Sequence, residues 1–447
     1  MPSSSRSFTT TFGRLTIANI VANLMVPLAG IIDTAFLGHL AEIQALAGVA
    51  IATVIFNVMY WSFGFLRMGT TGLIAQAVGQ RDVDQLHLTL LRSGALALGL
   101  GLLLVAGQVP IRQVGFHLLS VAPDVRAAGE AFFTARIWGS PAVLMNYVLL
   151  GWFLGRGQGD LVMLLSLVSN GSNILLDALF IQRFGWGSAG AGTATTLSQG
   201  LMLAVGLLCL HRDISWGRVW VARRRFTEAA TFQVMLQLNR DLLIRTFALV
   251  MSFALFTHWS AQLSTEILAA NTLLLQVVTL AAYFIDGVAF ATESFAGQFA
   301  GAGDRAKLRK LLNFSLLSSV LFGVGFAIAF AGLPRPLFRL MTSHDAILAE
   351  TQRLSIWLLP TLALGAIAYL LDGYFLGLTE GHTLRRSTLV AAGLGFLPIG
   401  LAAQWVGSVH LLWGAMVALM GLRALTLVAQ VPRTLQAVSC AGQNCEE

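Results

Sequence analysis

Charged residues are scarce in this chain. Lys, Arg, Asp and Glu make up 11% of its 447 residues, whereas ordinary soluble domains carry roughly 25%. Apolar residues reach 56%, and the mean hydropathy is +0.75. The composition therefore excludes a soluble globular domain and indicates a membrane protein with many spans. The net charge of +7 then indicates a topogenic bias and attraction to anionic membrane lipid, not binding of nucleic acid.

Cysteines and catalytic motifs are scarce as well. Cys209, Cys440 and Cys445 have neither metal-ligand spacing with histidine nor the pattern of a disulfide framework. The chain has no Gly-x-Ser-x-Gly, Walker or His-Glu-x-x-His sequence, so residues for covalent catalysis or ATP hydrolysis are missing. We therefore expect neither an enzyme nor a bound cofactor. No small-residue cleavage site follows the first apolar run, and we expect that run to remain as a helix.

Twelve apolar runs are long enough to cross a bilayer as helices, which needs about 20 residues each. Their predicted cores are 15–39, 45–70, 88–108, 128–154, 160–182, 189–210, 238–260, 267–299, 311–332, 350–377, 387–406 and 409–431. If the N-terminus is cytoplasmic, the loops on that side carry roughly twice as many Lys and Arg residues as the others. We therefore predict a multi-pass protein of the plasma (inner) membrane with both termini cytoplasmic.

The two halves of the chain repeat one another at an offset of 222 residues. Gly151 and Gly155, for example, recur as Gly373 and Gly377. Because six helices is an even number, the copies share one orientation, as parallel repeats do. The predicted fold is all-α, with twelve transmembrane helices in two parallel-repeat six-helix lobes around a central cleft suited to alternating access. The predicted divisions are a cytoplasmic tail at 1–13, the N-lobe at 14–211, a basic cytoplasmic linker at 212–237, the C-lobe at 238–432 and a second cytoplasmic tail at 433–447.

Asp33 is the only charge in the apolar run from Ile17 to Leu37. An ionised carboxylate at the centre of a membrane helix costs roughly 2.5–3.5 kcal/mol on insertion scales. Such a residue is by default an acid on an ion path, although it could instead cap a broken helix or pair with an arginine. Pro27 lies six residues earlier and predicts a kink there, because proline lacks a backbone donor and clashes with the preceding turn.

The fifth run supplies a partner for Asp33. Asn170, Asn173 and Asp177 are spaced i, i+3 and i+7, which places them on one helical face. At a rise of about 1.5 Å per residue, Asp33 and Asp177 both lie roughly 10 Å below the outer ends of their helices. Two carboxylates with amide oxygens nearby could hold Na⁺ or share a proton. At offset 222 the acids fall on Leu255 and Ile399, so the C-lobe has no equivalent pair.

The C-lobe carries acids of its own, Asp286, Glu293 and Asp372. Asp286 and Glu293 share a helical face because seven residues separate them. These acids could line a pocket for cationic substrates, or they could pair with Arg67 and Arg423 across the bundle. Arg67 stands beside small residues that permit close helix approach, which favours a structural partner over a gate.

Several long motifs resemble the multidrug and toxic compound extrusion (MATE) family, in the branch related to the DNA-damage-inducible protein F. They include VPLAGIIDTAFLGHL at Val26–Leu40, SNILLDALFI at Ser172–Ile181 and FIDGVAFATESFAGQFAGAGDR at Phe284–Arg305. The resemblance implies a secondary antiporter whose two lobes form a V-shaped cleft that opens alternately to either side. It also implies export of amphipathic, often cationic, small molecules against inflow of H⁺ or Na⁺. We expect such a transporter to act as a monomer.

The resemblance further implies which residues couple the cation. By motif, the N-lobe cation site of related members falls on Asp33, Asn173, Asp177 and Thr195, and their bending proline falls on Pro27. The stretch where other branches place C-lobe acids, 246–256, is apolar here. A lipid-linked precursor flippase of a related superfamily is the alternative, although it would favour a strongly cationic cleft and extra helices. A channel or membrane scaffold would need no paired acids in one lobe.

Overall fold

The computed structural model of the chain describes residues 5–38, 43–119, 122–214, 217, 225–226 and 228–443. Over these residues the chain is helical and contains no strand. It divides into two compact units. The first unit comprises Met1–Val78 and Asp82–Gln233, and the second comprises Gly79–Arg81 and Val234–Glu447.

The first half of the chain, up to residue 213, has nine α-helices among the described residues. They are α1 (Ser5–Gly38), α2 (Ile43–Ser62), α3 (Phe65–Gln80), α4 (Val83–Ala106), α5 (Gln108–Leu118), α6 (Pro123–Arg136), α7 (Ser140–Gly155), α8 (Gly159–Asp177) and α9 (Gly187–Asp213). A 3-10 turn, Ile137–Gly139, joins α6 to α7, and a π turn, Ala178–Arg183, extends α8.

The second half, from residue 229, has nine more in the part that the structure describes. They are α10 (Ala229–Leu263), α11 (Thr265–Gly301), α12 (Arg305–Gly332), α13 (Pro334–Arg339), α14 (Asp345–Leu354), α15 (Leu358–Gly377), α16 (Gly381–Val390), α17 (Leu397–Val406) and α18 (Val409–Gln443). A 3-10 turn, Ser355–Trp357, precedes α15, and a π turn, Ala391–Phe396, joins α16 to α17.

Twelve helical segments among the described residues are long and apolar enough to cross a bilayer. They are Phe8–Leu28, Gln44–Gln80, Val83–Ala106, Pro123–Gly155, Gly159–Arg183, Gly187–Asp213, Phe232–Leu263, Thr265–Gly301, Arg305–Gly332, Asp345–Gly377, Gly381–Val406 and Val409–Val438. Each of them overlaps one of the twelve apolar runs of the sequence, in the same order. The prediction of twelve membrane-spanning helices is therefore confirmed.

Four helices extend beyond the boundaries drawn from the sequence, and one of them, α9, ends at Asp213 within the predicted linker. α1 begins at Ser5, within the predicted tail 1–13, and α10 begins at Ala229, within the predicted linker 212–237. α18 continues to Gln443, past the predicted end of the C-lobe at 432. The apolar runs mark only the part of a helix that suits the bilayer core, whereas the helical hydrogen bonds continue into polar sequence.

Five of the twelve described spans depart from a continuous α-helix, the fifth and the eleventh through the two π turns. The second span breaks at Phe63 and Gly64, between α2 and α3, and the fourth and tenth spans contain the two 3-10 turns. The eighth span is the repeat counterpart of the second, yet it is one continuous helix, α11. At the offset of 222 the break at Gly64 corresponds to Asp286.

Each unit contains the same close contact between two of its own helices. A Cβ on Gly151 would lie 2.8 Å from the backbone oxygen of Arg67, and a Cβ on Gly373 would meet the backbone oxygen of Ala289. The two glycines are 222 residues apart in the sequence, and so are Arg67 and Ala289. The repeat read from the sequence thus corresponds to one packing arrangement, in which α7 contacts α3 and α15 contacts α11 through glycine.

The turn after the second span of each unit repeats as well. Asp82 and Asp304 each accept a hydrogen bond of 2.9 Å from the backbone N–H three residues ahead, and so cap α4 and α12. The residues before them, Arg81 and Gly303, have φ values of 57° and 68°, in the left-handed region. The offset of 222 therefore holds through this turn.

The register of the first helix in each unit differs by one residue from that offset. A Cβ on Gly159 would meet Leu15, whereas a Cβ on Gly381 would meet Leu238. The glycines are 222 residues apart, but the leucines are 223 apart, because the second copy has one residue fewer between Leu238 and Gly381 than the first has between Leu15 and Gly159. The counterpart of Asp33 is therefore Phe256, not Leu255 as the constant offset predicts. Phe256 is buried in the core of the second unit.

A buried arginine fixes the end of the linker within the first unit. The Arg92 guanidinium on α4 donates hydrogen bonds to the backbone oxygens of Arg225, Phe226 and Glu228, at 2.8–3.2 Å. Arg92 itself is buried. The residues that immediately precede α10 are thereby held against α4.

Candidate cation-binding site

The packing of α1 against α8 places the two predicted acids at one level. The two helices run parallel, because Leu15 lies against Gly159 at the start of α8 and α1 also contacts the π turn that follows α8. Asp33 stands eighteen residues beyond Leu15, and Asp177 stands eighteen beyond Gly159. Equal rise along two parallel helices brings these positions to the same depth. The side chain of Asp33 lies outside the described part of the chain.

Asp177 and Asn173 form the buried polar face of α8. The Asp177 side chain belongs to a residue that is 1% exposed, and Asn173, one turn before it, is 7% exposed. Asn170 was predicted on the same face, but it is only half-buried, and its amide donates to the backbone oxygen of Ser166 in its own helix at 2.8 Å. The buried part of the predicted stripe is thus the pair Asn173 and Asp177.

Thr195 on α9 lies level with this pair. α9 runs antiparallel to α8, since a Cβ on Gly190 would lie 3.2 Å from the backbone of Phe180 and one on Gly206 would lie 3.6 Å from Leu165. Interpolation between these two contacts places Thr195 opposite the turn between Asn173 and Asp177. Its hydroxyl donates to the backbone oxygen of Ala191 at 3.0 Å, which leaves lone pairs on the oxygen that can accept or coordinate.

A hydrogen-bonded bridge lies one helical turn from these residues, on the side of the first turn of α8. Gln199 Nε2 donates to Ser169 Oγ at 3.0 Å. Asn146 Nδ2 on α7 donates to both the side-chain and the backbone oxygen of Gln199, each at 3.0 Å. The bridge therefore joins α7, α8 and α9.

The chemistry of the site follows from its oxygen groups and its burial. A carboxylate in an apolar helix bundle is penalised when it is ionised, and a bound cation or a proton removes that penalty. Carboxylate, amide and hydroxyl oxygens are hard ligands that suit Na⁺ as well as a shared proton. Among the described residues, no three His, Cys, Asp or Glu side chains cluster as they would in a transition-metal centre.

The π turn Ala178–Arg183 follows Asp177 directly. Its hydrogen bonds run from residue i to i+5, which widens the helix, and such turns occur mostly at functional sites. Trp186 holds the far end of the turn. Its ring stacks on Phe180 at a centroid distance of 5.0 Å, and its backbone N–H donates to the Phe180 backbone oxygen at 2.9 Å. Asp177 thus stands at the boundary between α and π geometry.

The second unit buries a different charged group, which we call the arginine triad: Arg245 on α10, Asp372 on α15 and Arg423 on α18. Asp372 Oδ2 accepts a hydrogen bond from the Nη2 atom of each arginine. All three residues are buried, and Arg423 is 0% exposed. The Arg423 guanidinium also lies 5.5 Å from the centroid of the Tyr369 ring. One carboxylate is therefore shared by two cations.

The other predicted C-lobe acids lie on α11. Asp286 is half-buried and close enough to Tyr283 and Tyr369 to interact with them electrostatically, whereas Glu293 is fully buried. These acids could either line a substrate pocket or pair with arginines, and Asp372 is paired with Arg423. Arg67 lies in the first unit, half-buried on α3 and within electrostatic range of Tyr147. Pro27 lies inside α1, which continues through it.

The sequence reading missed Arg245, Asn146 and Gln199. The sequence did contain a sign of Arg245, because a charged residue inside an apolar run needs a partner of opposite charge. Asp372, which also lies inside an apolar run, could be that partner. Asn146 and Gln199 carried no sign of comparable strength, since single amides in membrane helices are common partners of neighbouring helices. Their significance comes from the hydrogen bonds that join three helices.

Taken together, the fold and the site define a multi-pass helical membrane protein built from two repeats, with an acid pair at one level of the first. Comparison with known proteins identifies the group more closely. The sequence profile of the MatE family matches residues 18–179 and 242–400, one segment in each half of the chain. The chain belongs to this family of membrane transporters.

Two curated relatives extend over nearly the whole chain. The DNA damage-inducible protein F of Escherichia coli is 33% identical over 415 residues, which cover 93% of this chain and 90% of that protein. The probable multidrug resistance protein NorM of Thermotoga maritima is 24% identical and covers 87% and 86% of the two chains. Among solved structures, a MOP superfamily transporter from Pyrococcus furiosus has a TM-score of 0.83 at 18% identity, over 96% of this chain and 95% of that one. That likeness supports the fold.

Proposed function

We propose that the chain is a secondary antiporter that exports amphipathic or cationic organic compounds in exchange for H⁺ or Na⁺ by alternating access. Membership of the MatE family makes it a transporter, and the name of one relative associates that relative with multidrug resistance. In the proposed orientation both termini lie in the cytoplasm, as the bias of Lys and Arg between the loops indicates.

The observation that carries the proposal is the burial of Asp177. Its residue is 1% exposed inside an apolar helix, with the Asn173 amide one turn away and Thr195 at the same level on α9. Because burial penalises the ionised carboxylate, the occupancy of this position by a cation is tied to the free energy of the conformation around it. A residue of this kind can therefore couple cation binding to a structural change.

Asp33 and Pro27 complete the proposed mechanism. A cation that binds between Asp33 and Asp177 neutralises charge between α1 and α8. α1 then bends at Pro27, where the helix lacks one backbone hydrogen bond. The bend changes the packing that holds the substrate on the first unit, and the substrate leaves. The cation-loaded carrier then returns to the opposite conformation.

The second unit contributes to substrate binding in this proposal, not to coupling. Its shared carboxylate, Asp372, already has two arginines as counter-charges, so it has little affinity for a further cation. Asp286 is half-buried, and beside Tyr283 and Tyr369 it offers a negative charge and aromatic faces to an amphipathic cation.

Transport by purified protein in liposomes tests the proposal. We expect efflux of a fluorescent organic cation that is driven by an imposed pH gradient or an imposed Na⁺ gradient, applied separately, and that is absent from protein-free liposomes. The gradient that drives efflux identifies the coupling ion. Efflux that neither gradient drives, together with movement of a lipid-linked precursor between leaflets, would replace the antiporter by the flippase.

A further inference from the structure

Gln199 holds three helices of the first unit together through its side chain. Its amide nitrogen donates to Ser169 Oγ on α8, and its amide oxygen accepts from Asn146 Nδ2 on α7, both at 3.0 Å. Asn146 donates a second hydrogen bond of 3.0 Å to the backbone oxygen of Gln199. Ser169 and Asn146 are buried. Both ends of the Gln199 amide are therefore used between helices.

The bridge borders the candidate cation site. Ser169 precedes Asn173 by one turn of α8, and Gln199 follows Thr195 by one turn of the antiparallel α9. Residues four apart on a helix lie on the same face. The bridge thus occupies the layer next to Asn173 and Thr195, between the site and the first turn of α8.

Two buried polar atoms beside the bridge retain hydrogen-bonding capacity. Asn146 Oδ1 and Asn173 Nδ2 have no hydrogen-bond partner among the described residues, and both residues are more than nine-tenths buried. Such atoms favour water or a ligand wherever space permits. The Gln199 side chain is hydrogen-bonded to Asn146 and to Ser169, which lies one turn from Asn173.

We propose that Gln199 is a positioning residue that seals the candidate cation site on the side of the first turn of α8. The inference rests on the proposed function, because a seal has meaning only for a site that exchanges a cation. The cation of Asp177 then enters and leaves only at the other end of α8, and transport stays coupled. Without the Gln199 side chain, water reaches Asn146, Ser169 and Asn173 and gives cations a second route.

A leak assay in liposomes tests the seal. We expect Gln199→Ala to raise the cation flux measured without substrate, with internal pH-sensitive and Na⁺-sensitive dyes, by about tenfold, because the cavity it leaves is polar and takes up water. Gln199→Met fills the volume without the hydrogen bonds, and we expect a smaller leak. Gln113→Ala, at an exposed position of α5, is the matched control and should stay as tight as wild type.

The outcomes separate the seal from the antiporter. If wild type couples transport to a cation and Gln199→Ala is equally tight, with unchanged cations moved per substrate, the seal is wrong while the antiporter stands. If wild type shows no cation coupling, the antiporter is wrong, and the seal of its cation site is wrong with it. Should Gln199→Ala fail to fold, Ser169→Ala removes the partner of the amide nitrogen, and a tight Ser169→Ala protein overturns the proposal.

Discussion

The two units share one template of helix contacts but differ in what they bury. In the first unit the level of Asp33 and Asp177 carries acids, an amide and a hydroxyl, and the second unit has Phe256 as the counterpart of Asp33. The second unit instead encloses the arginine triad, in which each formal charge has an opposite neighbour. A duplicated scaffold has thus kept its glycine contacts while its two interiors took different charges.

Under the proposed function, the difference teaches that burial alone does not make an acid a coupling residue. Asp177 and Asp372 are both buried carboxylates in membrane helices. Asn173 stands one turn before Asp177 on α8 and Thr195 lies level with it on α9, whereas Asp372 accepts hydrogen bonds from two guanidinium groups. We therefore expect different effects when each carboxylate is neutralised. Neutralising Asp177 should impair transport, whereas neutralising Asp372 should destabilise the fold.

The largest expected effect comes from Asp177→Asn. Because the amide cannot exchange a proton or neutralise Na⁺, we expect cation-driven efflux in liposomes to fall by about 100-fold or more, as for other positioned proton-transferring groups. The thermal midpoint of the purified protein should stay close to that of wild type, since asparagine has nearly the shape of aspartate. Asp160→Asn is the matched control, because Asp160 is an exposed partner of Arg14 at the start of the same helix. Wild-type efflux by Asp177→Asn would remove the distinction between the units.

The next effect is on the arginine triad. Asp372→Asn leaves two buried guanidinium groups without their shared carboxylate, and we expect a loss of about 3–5 kcal/mol in unfolding free energy. Arg245→Met leaves a neutral pair between Asp372 and Arg423, so its loss should be about 1 kcal/mol or less. Thermal and SDS-induced unfolding in detergent measure both variants. A larger loss for Arg245→Met than for Asp372→Asn would contradict the view that the carboxylate neutralises two cations.

A matched pair of glycines sharpens what the units have in common. We expect Gly151→Ala and Gly373→Ala each to destabilise the protein by about 1–3 kcal/mol, because the new Cβ meets a backbone oxygen in α3 or α11. Gly325→Ala is the control, since nothing lies within 4 Å of its Cβ. Thermal unfolding of the three variants should give two similar losses and one neutral result. A loss at only one of the two glycines would show that the repeat contact is energetically unequal.

The smallest effect concerns the paired helix caps. Asp82→Ala and Asp304→Ala each remove an N-cap hydrogen bond, worth about 1 kcal/mol. Burial by itself raises the pKa of the Asp304 carboxyl, but the hydrogen bonds from Lys307 outweigh burial and hold the pKa below its ordinary value. The contribution of Asp304 is therefore present above the unfolded pKa of about 4 and is lost as the pH falls through the folded one. Thermal midpoints of wild type and Asp304→Ala should converge at low pH and differ at pH 7.

Much of this arrangement was predictable because it depends on local spacing. Apolar length gives the twelve spans, and the recurrence of Gly151 as Gly373 gives the repeat. The burial of Asn173 with Asp177 follows from their separation of one helical turn. Asn170 satisfied the same spacing but is only half-buried, since burial at each level depends on which neighbouring helix covers the face, and spacing along one helix does not contain that information.

Contacts between distant parts of the chain account for what the sequence did not reveal. The arginine triad brings together residues from α10, α15 and α18, and the Gln199 bridge joins α7, α8 and α9. Neither has a fixed spacing in sequence. The one-residue difference in the register of α10 is also invisible there, because Leu255 and Phe256 are both apolar. Only the contact of Leu238 with Gly381 reveals it.

The π turn after Asp177 gives α8 a way to move in discrete steps. A π turn holds one residue more than the α-helical turn it replaces, so its conversion to α geometry shifts the chain on one side by one position. One position corresponds to an advance of about 1.5 Å and a rotation of about 100°. Such a step at Ala178–Arg183 would rotate Asp177 about the axis of α8 while the Trp186 end stays fixed. The helix would then have two conformations, and the carboxylate would face different neighbours in each.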